Sequence, residues 1–237
     1  MDRGLSVGGV FGTAFSVLRE RARVLVPIAL ATSLMFSAIT ALLGQRFAGV
    51  IVQNILDIAF FAFMTAVVMG VLRDVREGHL DSSARELLLN ALPPLPAATL
   101  AGVLAALGLI AAAILLIVPA LYLLTIWTLL LPVIVVERQD VFDAFGRSHD
   151  LVRGNGWKVF GILLLLGLIM VATSLPSVFL LWQEVGGGLA RRLVGALVSS
   201  VTTPFMLLVV GALYYRLRDL EGNAPESAPS AGASVLE

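Results

Sequence analysis

The most constraining feature of this sequence is an uncharged run of 42 residues from Leu95 to Val136. One straight helix of that length would measure about 63 Å, which is about twice the hydrocarbon thickness of a bilayer. The run therefore predicts two antiparallel membrane-spanning helices. A turn near Val118-Pro119-Ala120 is expected because proline lacks the backbone donor that a continuing helix needs. A re-entrant hairpin, which enters and leaves the bilayer on one side, is the alternative.

Four further apolar runs of similar length flank this block, so the fold class predicted is an all-α polytopic membrane bundle. Of the 237 residues, 59% are hydrophobic and 14% are charged, whereas about 25% of a soluble domain is charged. The predicted single integral membrane domain covers residues 1–220. Its six transmembrane helices are predicted over about 24–43, 50–72, 96–118, 120–136, 157–181 and 193–215. Residues 221–237 are rich in Ala, Ser and Pro and are predicted to be a disordered cytoplasmic tail.

The distribution of basic residues predicts the orientation of this bundle. With the spans above, thirteen Arg and Lys residues fall on one side of the membrane and three on the other. The positive-inside rule places the side with the larger number, and with it both termini, in the cytoplasm. No segment between two spans is long enough to form a soluble domain.

Three segments on the predicted cytoplasmic side have the spacing of amphipathic helices that lie at the membrane surface. They cover residues 7–18, 83–92 and 140–152. The second opens with a capping box formed by Ser83 and Glu86, and Asp140 is the predicted N-cap of the third. The apolar face predicted for the third comprises Phe142, Phe145, His149 and Val152. The alternative is that each segment is the start of a long transmembrane helix.

Two polar segments inside the predicted spans indicate a possible path for solutes. Asp57 is the one charged residue inside a span, and Gln53 and Asn54 share its helical face. A charge in hydrocarbon is costly and marks a hypothetical functional site. Ser200 and Thr203 precede a proline that should kink span six, and broken helices line substrate sites in some transporters. Packing between helices, or a position of Asp57 at the outer interface, is the alternative interpretation.

The composition argues against several classes of function. The chain has no cysteine and two histidines, which excludes disulfides and thiolate metal sites and makes a histidine-rich metal centre unexpected. Sixteen basic and sixteen acidic residues cancel, so no nucleic-acid partner is predicted. HExxH, GxSxG and P-loop motifs are absent from the sequence. We therefore predict a protein without catalytic residues, metal or cofactor.

The segment around the end of span four resembles a known family. The similarity is to the bacterial integral membrane domain named for glycerophosphodiester phosphodiesterases, and to the related uncharacterised inner-membrane proteins of the YciC type. It rests on Pro132-Val-Ile-Val-Val-Glu137, Ala144-Phe-Gly-Arg-Ser148, Leu151-Val-Arg-Gly154 and Trp157-Lys-Val-Phe-Gly161. Ile117-Val-Pro-Ala-Leu-Tyr122 suits the same pattern, with Ala120 where the family usually has glycine. The match is good over residues 117–161, and the six-span layout extends it to residues 5–216.

This resemblance implies a multi-pass protein of the bacterial inner, or plasma, membrane. In some members of the family the membrane domain is fused to a soluble barrel that hydrolyses glycerophosphodiesters. The present chain has no room for such a barrel, so no hydrolase residue is carried over. The membrane domain itself implies no settled activity.

The same segment has a physical interpretation as a contact with lipid. Arg147, Arg153 and Lys158 are predicted to meet the phosphates of anionic phospholipids on the cytoplasmic side. Trp157 lies at a span boundary, where indole rings concentrate. Ordinary anchoring of a helix end is the alternative. The function predicted is a non-catalytic role in envelope or lipid organisation, through the lipid bilayer or membrane protein partners that the sequence does not identify. A small transporter or channel is the second prediction.

Overall fold

In a computed structural model the chain is a bundle of α-helices, described over residues 5–42, 47–78, 83–182 and 187–222. Within these ranges there is no strand. Six helical units are long and apolar enough to cross a membrane, the fourth being α5 and α6 taken together. The predicted all-α bundle of six such helices is therefore confirmed. The helices are α1 (Val7–Leu42), α2 (Phe47–Glu77), α3 (Ala84–Ala91), α4 (Leu95–Leu115), α5 (Ile117–Ile126), α6 (Leu130–Glu137), α7 (Val141–Val152), α8 (Gly156–Trp182) and α9 (Gly187–Gly222).

The first predicted surface helix is not a separate element. α1 continues without a break from residue 7 into the apolar span, so here the alternative of one long helix is what the structure shows. Val10, Ala14 and Val17 are buried on the same face as Leu25 in the apolar span. The contacts of α1 with α9 and α2 thus bury this face on both sides of the boundary between the predicted surface helix and the span. The predicted tail begins two residues too early, because residues 221 and 222 are the last of α9. From residue 223 onward it lies outside the described ranges.

The uncharged run folds into a helical hairpin that turns at Leu116. This residue is extended, with φ −167° and ψ 148°, two positions before the predicted turn. Pro119 lies in the first turn of α5, where a helix needs no backbone donor and tolerates the ring. Trp127 packs across the hairpin onto α4, because its ring lies 2.9 Å from the place that a Cβ on Gly108 would occupy.

A second break, which the sequence analysis did not predict, divides the fourth span into α5 and α6. Residues 127–129 form a turn between the two helices. Pro132 explains it, since a continuous helix would need the missing N–H of this residue and would bring its ring against the carbonyl of residue 128. The predicted span 120–136 is therefore two short helices rather than one.

The other two predicted surface segments are distinct helices. α3 begins with the predicted capping box, in which Ser83 and Glu86 bond each other's backbone N–H groups. α7 begins after Asp140, as expected, although no side-chain bond from Asp140 caps it. Its buried residues are Ala144, Ser148, Leu151 and Val152. Phe142, which was predicted on the buried face, is exposed. The buried face differs from the predicted one because the small residues Ala144 and Ser148 let α7 approach α6 closely.

α2 and α9 pack closely together near one end of the bundle. Met69 and Leu72 of α2 fill the space beside Gly211 of α9, where a Cβ would collide with both. Beyond this contact Arg76 of α2 pairs with Asp219 of α9. We call this part of the molecule the charged end; it also carries the ends of α6 and α7.

Candidate functional site

The charged end is organised around the carboxylate of Glu137, the last residue of α6. Its oxygens accept hydrogen bonds from the Tyr214 hydroxyl at 2.8 Å, from Arg147 Nε at 3.1 Å and from Gln139 Nε2 at 3.2 Å. The side chain is only 14% exposed. Three donors therefore occupy this carboxylate and fix its position at the end of α6.

Arg147 connects this carboxylate to the end of α9. Its two terminal nitrogens donate to the two oxygens of Glu221 at 2.6 and 2.7 Å, a bidentate pair, while Nε donates to Glu137. Because Glu221 and then Glu137 accept these hydrogen bonds, the pKa of Arg147 lies above its ordinary value. The guanidinium stays charged at every physiological pH and ties α6, α7 and α9 together.

α7 also supplies a hydrogen-bond donor to the backbone at the break between α5 and α6. The buried Ser148 hydroxyl donates to the carbonyl of Ile126 at 2.7 Å, at the place where α5 ends. One turn earlier, the ring of Phe145 meets Trp127 edge to face at 5.0 Å. Four of the residues that carry the family resemblance, Glu137, Phe145, Arg147 and Ser148, thus form one joint between the hairpin, α7 and α9. The described geometry gives them structural contacts, and no reactive pair.

A groove runs between α5 and the first turn of α8. It encloses about 730 Å³. Its apolar lining comprises Val118, Leu121, Ile126 and Phe160, and its polar lining comprises Tyr122, Thr125, Asn155 and Lys158, with Gly154, Gly156 and Trp157 at the start of α8. We call this the α5–α8 groove. Lys158 is the only lysine of the chain.

A larger cavity of about 1000 Å³ lies on another side of the charged end. It is bounded by α2, α3, the end of α6 and α9, and we call it the arginine cavity. Four arginines line it together with three carboxylates: Arg73, Arg76, Arg138 and Arg218, with Asp74, Glu77 and Glu86. Its apolar lining includes Met69, Leu87 and Val135.

The predicted lipid-contacting residues fall into two environments. Trp157, which is 87% exposed, and Lys158 line the α5–α8 groove. The exposed Arg153 comes directly before Gly154, the first residue of the segment that lines the groove on the α8 side. Gly154, with φ +84°, makes the turn that leads into α8. Arg147 lies apart from the groove lining, and its guanidinium is bonded to two carboxylates. A contact of any of these residues with lipid stays a prediction.

The predicted intramembrane polar residues are not joined in the described structure. Asn54 donates to the carbonyl of Val50 in its own helix at 2.8 Å, and Asp57 is exposed at the surface of the bundle. The buried Ser200 donates to its own helix at 2.7 Å. No side-chain hydrogen bond among the described residues links Gln53, Asn54 or Asp57 to Ser200 or Thr203. The path through these residues stays a prediction.

Of the Glu137 network only Arg147 was predicted as a site residue, whereas Glu137, Gln139, Tyr214 and Glu221 were not. Tyr214 and Glu221 lie 77 and 84 positions after Glu137 in the chain. The pair Tyr214-Tyr215 at the end of span six gave a signal, because tyrosine concentrates at membrane interfaces. Nothing local in the sequence pairs either residue with α6 or α7.

The α5–α8 groove and the arginine cavity each combine apolar and basic lining residues. Among the described residues, no three His, Asp or Glu side chains come together as a metal site. In comparisons with protein-family models, curated proteins and solved structures, the chain matches none. The resemblance noted in the sequence therefore stays an expectation, and the site must be interpreted from its own geometry.

Proposed function

We propose that this chain is a non-catalytic module of a bacterial cell membrane that holds an anionic phospholipid in the α5–α8 groove. The groove itself is the observation that carries the proposal. One wall is a helix of apolar side chains, and the mouth holds a single lysine beside an exposed tryptophan. This division into an apolar wall and a cationic mouth matches an amphiphile with acyl chains and a phosphate.

The apolar part of the groove suits an acyl chain. Val118 and Leu121 belong to α5, whose outer face is exposed in the bundle. In a bilayer this face lies against lipid, so a chain can enter from the side without crossing polar surface. The volume of about 730 Å³ lies within the range of small-molecule sites.

The polar mouth suits a phosphate. Lys158 carries a positive charge on a flexible stem that reaches toward the membrane interface. The N–H groups of Gly156 and Trp157 belong to the first turn of α8, where a helix lacks internal acceptors and carries a partial positive charge. Asn155 lines the same mouth. A phosphate there meets a cation and backbone donors together, and Trp157 anchors the segment in the headgroup region.

Retention of lipid by the purified protein tests this function. The protein is exchanged into a neutral detergent, supplied with equal amounts of phosphatidylglycerol and phosphatidylcholine, and analysed by native mass spectrometry. We expect preferential retention of phosphatidylglycerol, reduced about tenfold in Lys158→Gln and restored in Lys158→Arg. That reduction corresponds to one charge-assisted hydrogen bond.

A second variant fills the apolar wall without altering charge. Leu121→Trp occupies the groove and should lower retention of both lipids, while the exposed Arg23→Gln, on α1, removes one charge elsewhere and should change nothing. Equal retention in wild type, Lys158→Gln and Leu121→Trp would show that the groove is not a lipid site.

A further inference from the structure

The arginine cavity differs from the α5–α8 groove in its surroundings. Its rim is formed by charged residues at the ends of α2, α6 and α9, and by the short helix α3. It is therefore open to water at the charged end rather than to acyl chains. Its apolar floor is small, and Gly70 lets Leu87 of α3 approach α2, where a Cβ would stand 3.1 Å from the leucine side chain.

Two of the four arginines in this cavity are already engaged. Arg73 pairs with Glu77 at 2.8 Å, and Arg76 pairs with Asp219 at 2.9 Å while lying 4.6 Å from the centre of the Tyr215 ring. Arg138 and Arg218 make no side-chain hydrogen bond or ion pair within the described ranges. The cavity thus contains two guanidinium groups whose donors are open.

The carboxylates that line the cavity have partners other than Arg138 and Arg218. Glu77 is bonded to Arg73, and Glu86 accepts the N–H of Ser83 in the capping box at 3.0 Å. Asp74 interacts electrostatically with Arg73. Asp74 and Glu86 thus balance the formal charge of Arg138 and Arg218, but within the described ranges no side-chain bond joins either carboxylate to either guanidinium. The donors of Arg138 and Arg218 therefore stay open, although Arg218 also interacts electrostatically with Glu221.

The backbone at Arg138 provides an independent indication of function. Its φ of 55° and ψ of 31° are left-handed, and no other non-glycine residue in the described ranges has a positive φ. Glycine or asparagine usually occupies such a position after a helix, because a side chain with a Cβ is strained there. Strained residues cluster at functional sites, where the side chain offers something that glycine lacks.

We propose that the arginine cavity binds a phosphate group between Arg138 and Arg218, as a second site distinct from the α5–α8 groove. Guanidinium groups present paired donors that fit the oxygens of a phosphate. The phosphate can belong to a soluble phosphate ester or to the headgroup of an anionic lipid. The polar rim favours the soluble source, and Met69 and Val135 give the remainder of either ligand an apolar surface.

Calorimetric titration of the full-length protein in neutral detergent tests the soluble source, with inorganic phosphate and glycerol 3-phosphate as probes. The lipid source is tested by retention of phosphatidylglycerol in native mass spectra. We expect binding of at least one probe to weaken about tenfold in Arg138→Gln and in Arg218→Gln. Arg85→Gln, an exposed change on α3 outside the cavity lining, should bind as wild type does.

Arg138→Gly separates binding from folding. Glycine adopts the left-handed conformation without strain, so this variant should unfold at the same or a higher temperature than wild type while losing the same affinity. Lys158→Gln, which removes the cation of the groove, should leave phosphate binding in the cavity intact. The proposal is overturned if no probe binds, or if Arg138→Gly and Arg218→Gln bind as tightly as wild type.

Discussion

At the scale of single residues, the most connected side chain of the charged end is that of Arg147. It holds Glu137 and Glu221 at once, and Glu137 in turn accepts the Tyr214 hydroxyl. Buried polar groups of this kind stabilise a structure only when all their partners are present. Removing Arg147 leaves the carboxylate of Glu137, which has little access to water, without its charged partner.

Arg147→Gln should therefore lower the free energy of unfolding by about 1–3 kcal/mol, less than for a fully buried pair because water still reaches Arg147. Thermal unfolding in detergent measures the effect. Arg73→Gln is the matched control. It breaks an exposed pair between residues four apart in one helix, worth about 0.5 kcal/mol or less. Equal losses in the two variants would contradict the role given to Arg147.

Ser148→Ala should cost about 1–3 kcal/mol, because the carbonyl of Ile126 loses the hydroxyl that satisfies it in a buried place. The unfolding temperature again measures the effect. Ser174→Ala removes an exposed hydroxyl that bonds only within α8, so it should be almost neutral. If the two alanine variants behave alike, Ser148 does not stabilise the joint.

At the residue scale, the sequence analysis selected Arg147, Trp157 and Lys158 as lipid contacts, which stays a prediction. Ser148 was only part of the motif that carries the family resemblance, and its bond to Ile126 was not predicted. The partners Tyr214 and Glu221 were not predictable, since contacts between distant segments depend on how whole helices pack. The sequence did not point to the left-handed backbone of Arg138, because residues other than glycine, asparagine and aspartate rarely adopt a positive φ.

At the scale of helices, proline explains both breaks of the uncharged run. The turn at Leu116 was predicted to within two residues, since the length of the run and Pro119 both required it. Pro132 indicated the second break just as clearly, but residues 120–136 also had the length of one uninterrupted span. Apolar length alone could not distinguish one helix from α5 followed by α6.

Packing between α2 and α9 depends on a glycine. Gly211→Leu should lower the free energy of unfolding by about 1–3 kcal/mol, because the side chain enters space held by Met69 and Leu72. Gly195→Leu, in the same helix, is the matched control, since a Cβ there meets no atom within 4 Å. Thermal unfolding of both variants compares the two positions, and a larger loss at Gly195 would refute this account of the interface.

At the scale of the whole molecule, six apolar helical units define the architecture, and two of them, α1 and α9, extend beyond the predicted spans. Hydrophobicity and length predicted the six, because those quantities reflect the bilayer directly. They did not predict that α1 and α9 continue together past the apolar spans. That continuation depends on the mutual burial of Val10, Ala14 and Val17 with residues of α9 and α2.

The predicted orientation gives a further test, and the absence of native cysteine makes it direct. Asp143→Cys places a thiol on exposed α7 at the charged end, and Val50→Cys places one near the start of α2. In intact cells a membrane-impermeant maleimide should label Val50→Cys, but should label Asp143→Cys only after permeabilisation. The reverse pattern would invert the orientation.

The turn of the hairpin between α4 and α5 has a consequence for biosynthesis. Ile114, Leu115, Leu116, Ile117 and Val118 form its tip, each at least 66% exposed and none polar. Between Leu95 and Val136 no ionised group has to leave water, so the two arms can enter the bilayer as one preassembled unit. The tip gains free energy at every depth of hydrocarbon. Insertion of this segment should therefore proceed without a contribution from the membrane potential, unlike that of a loop whose charges must be translocated.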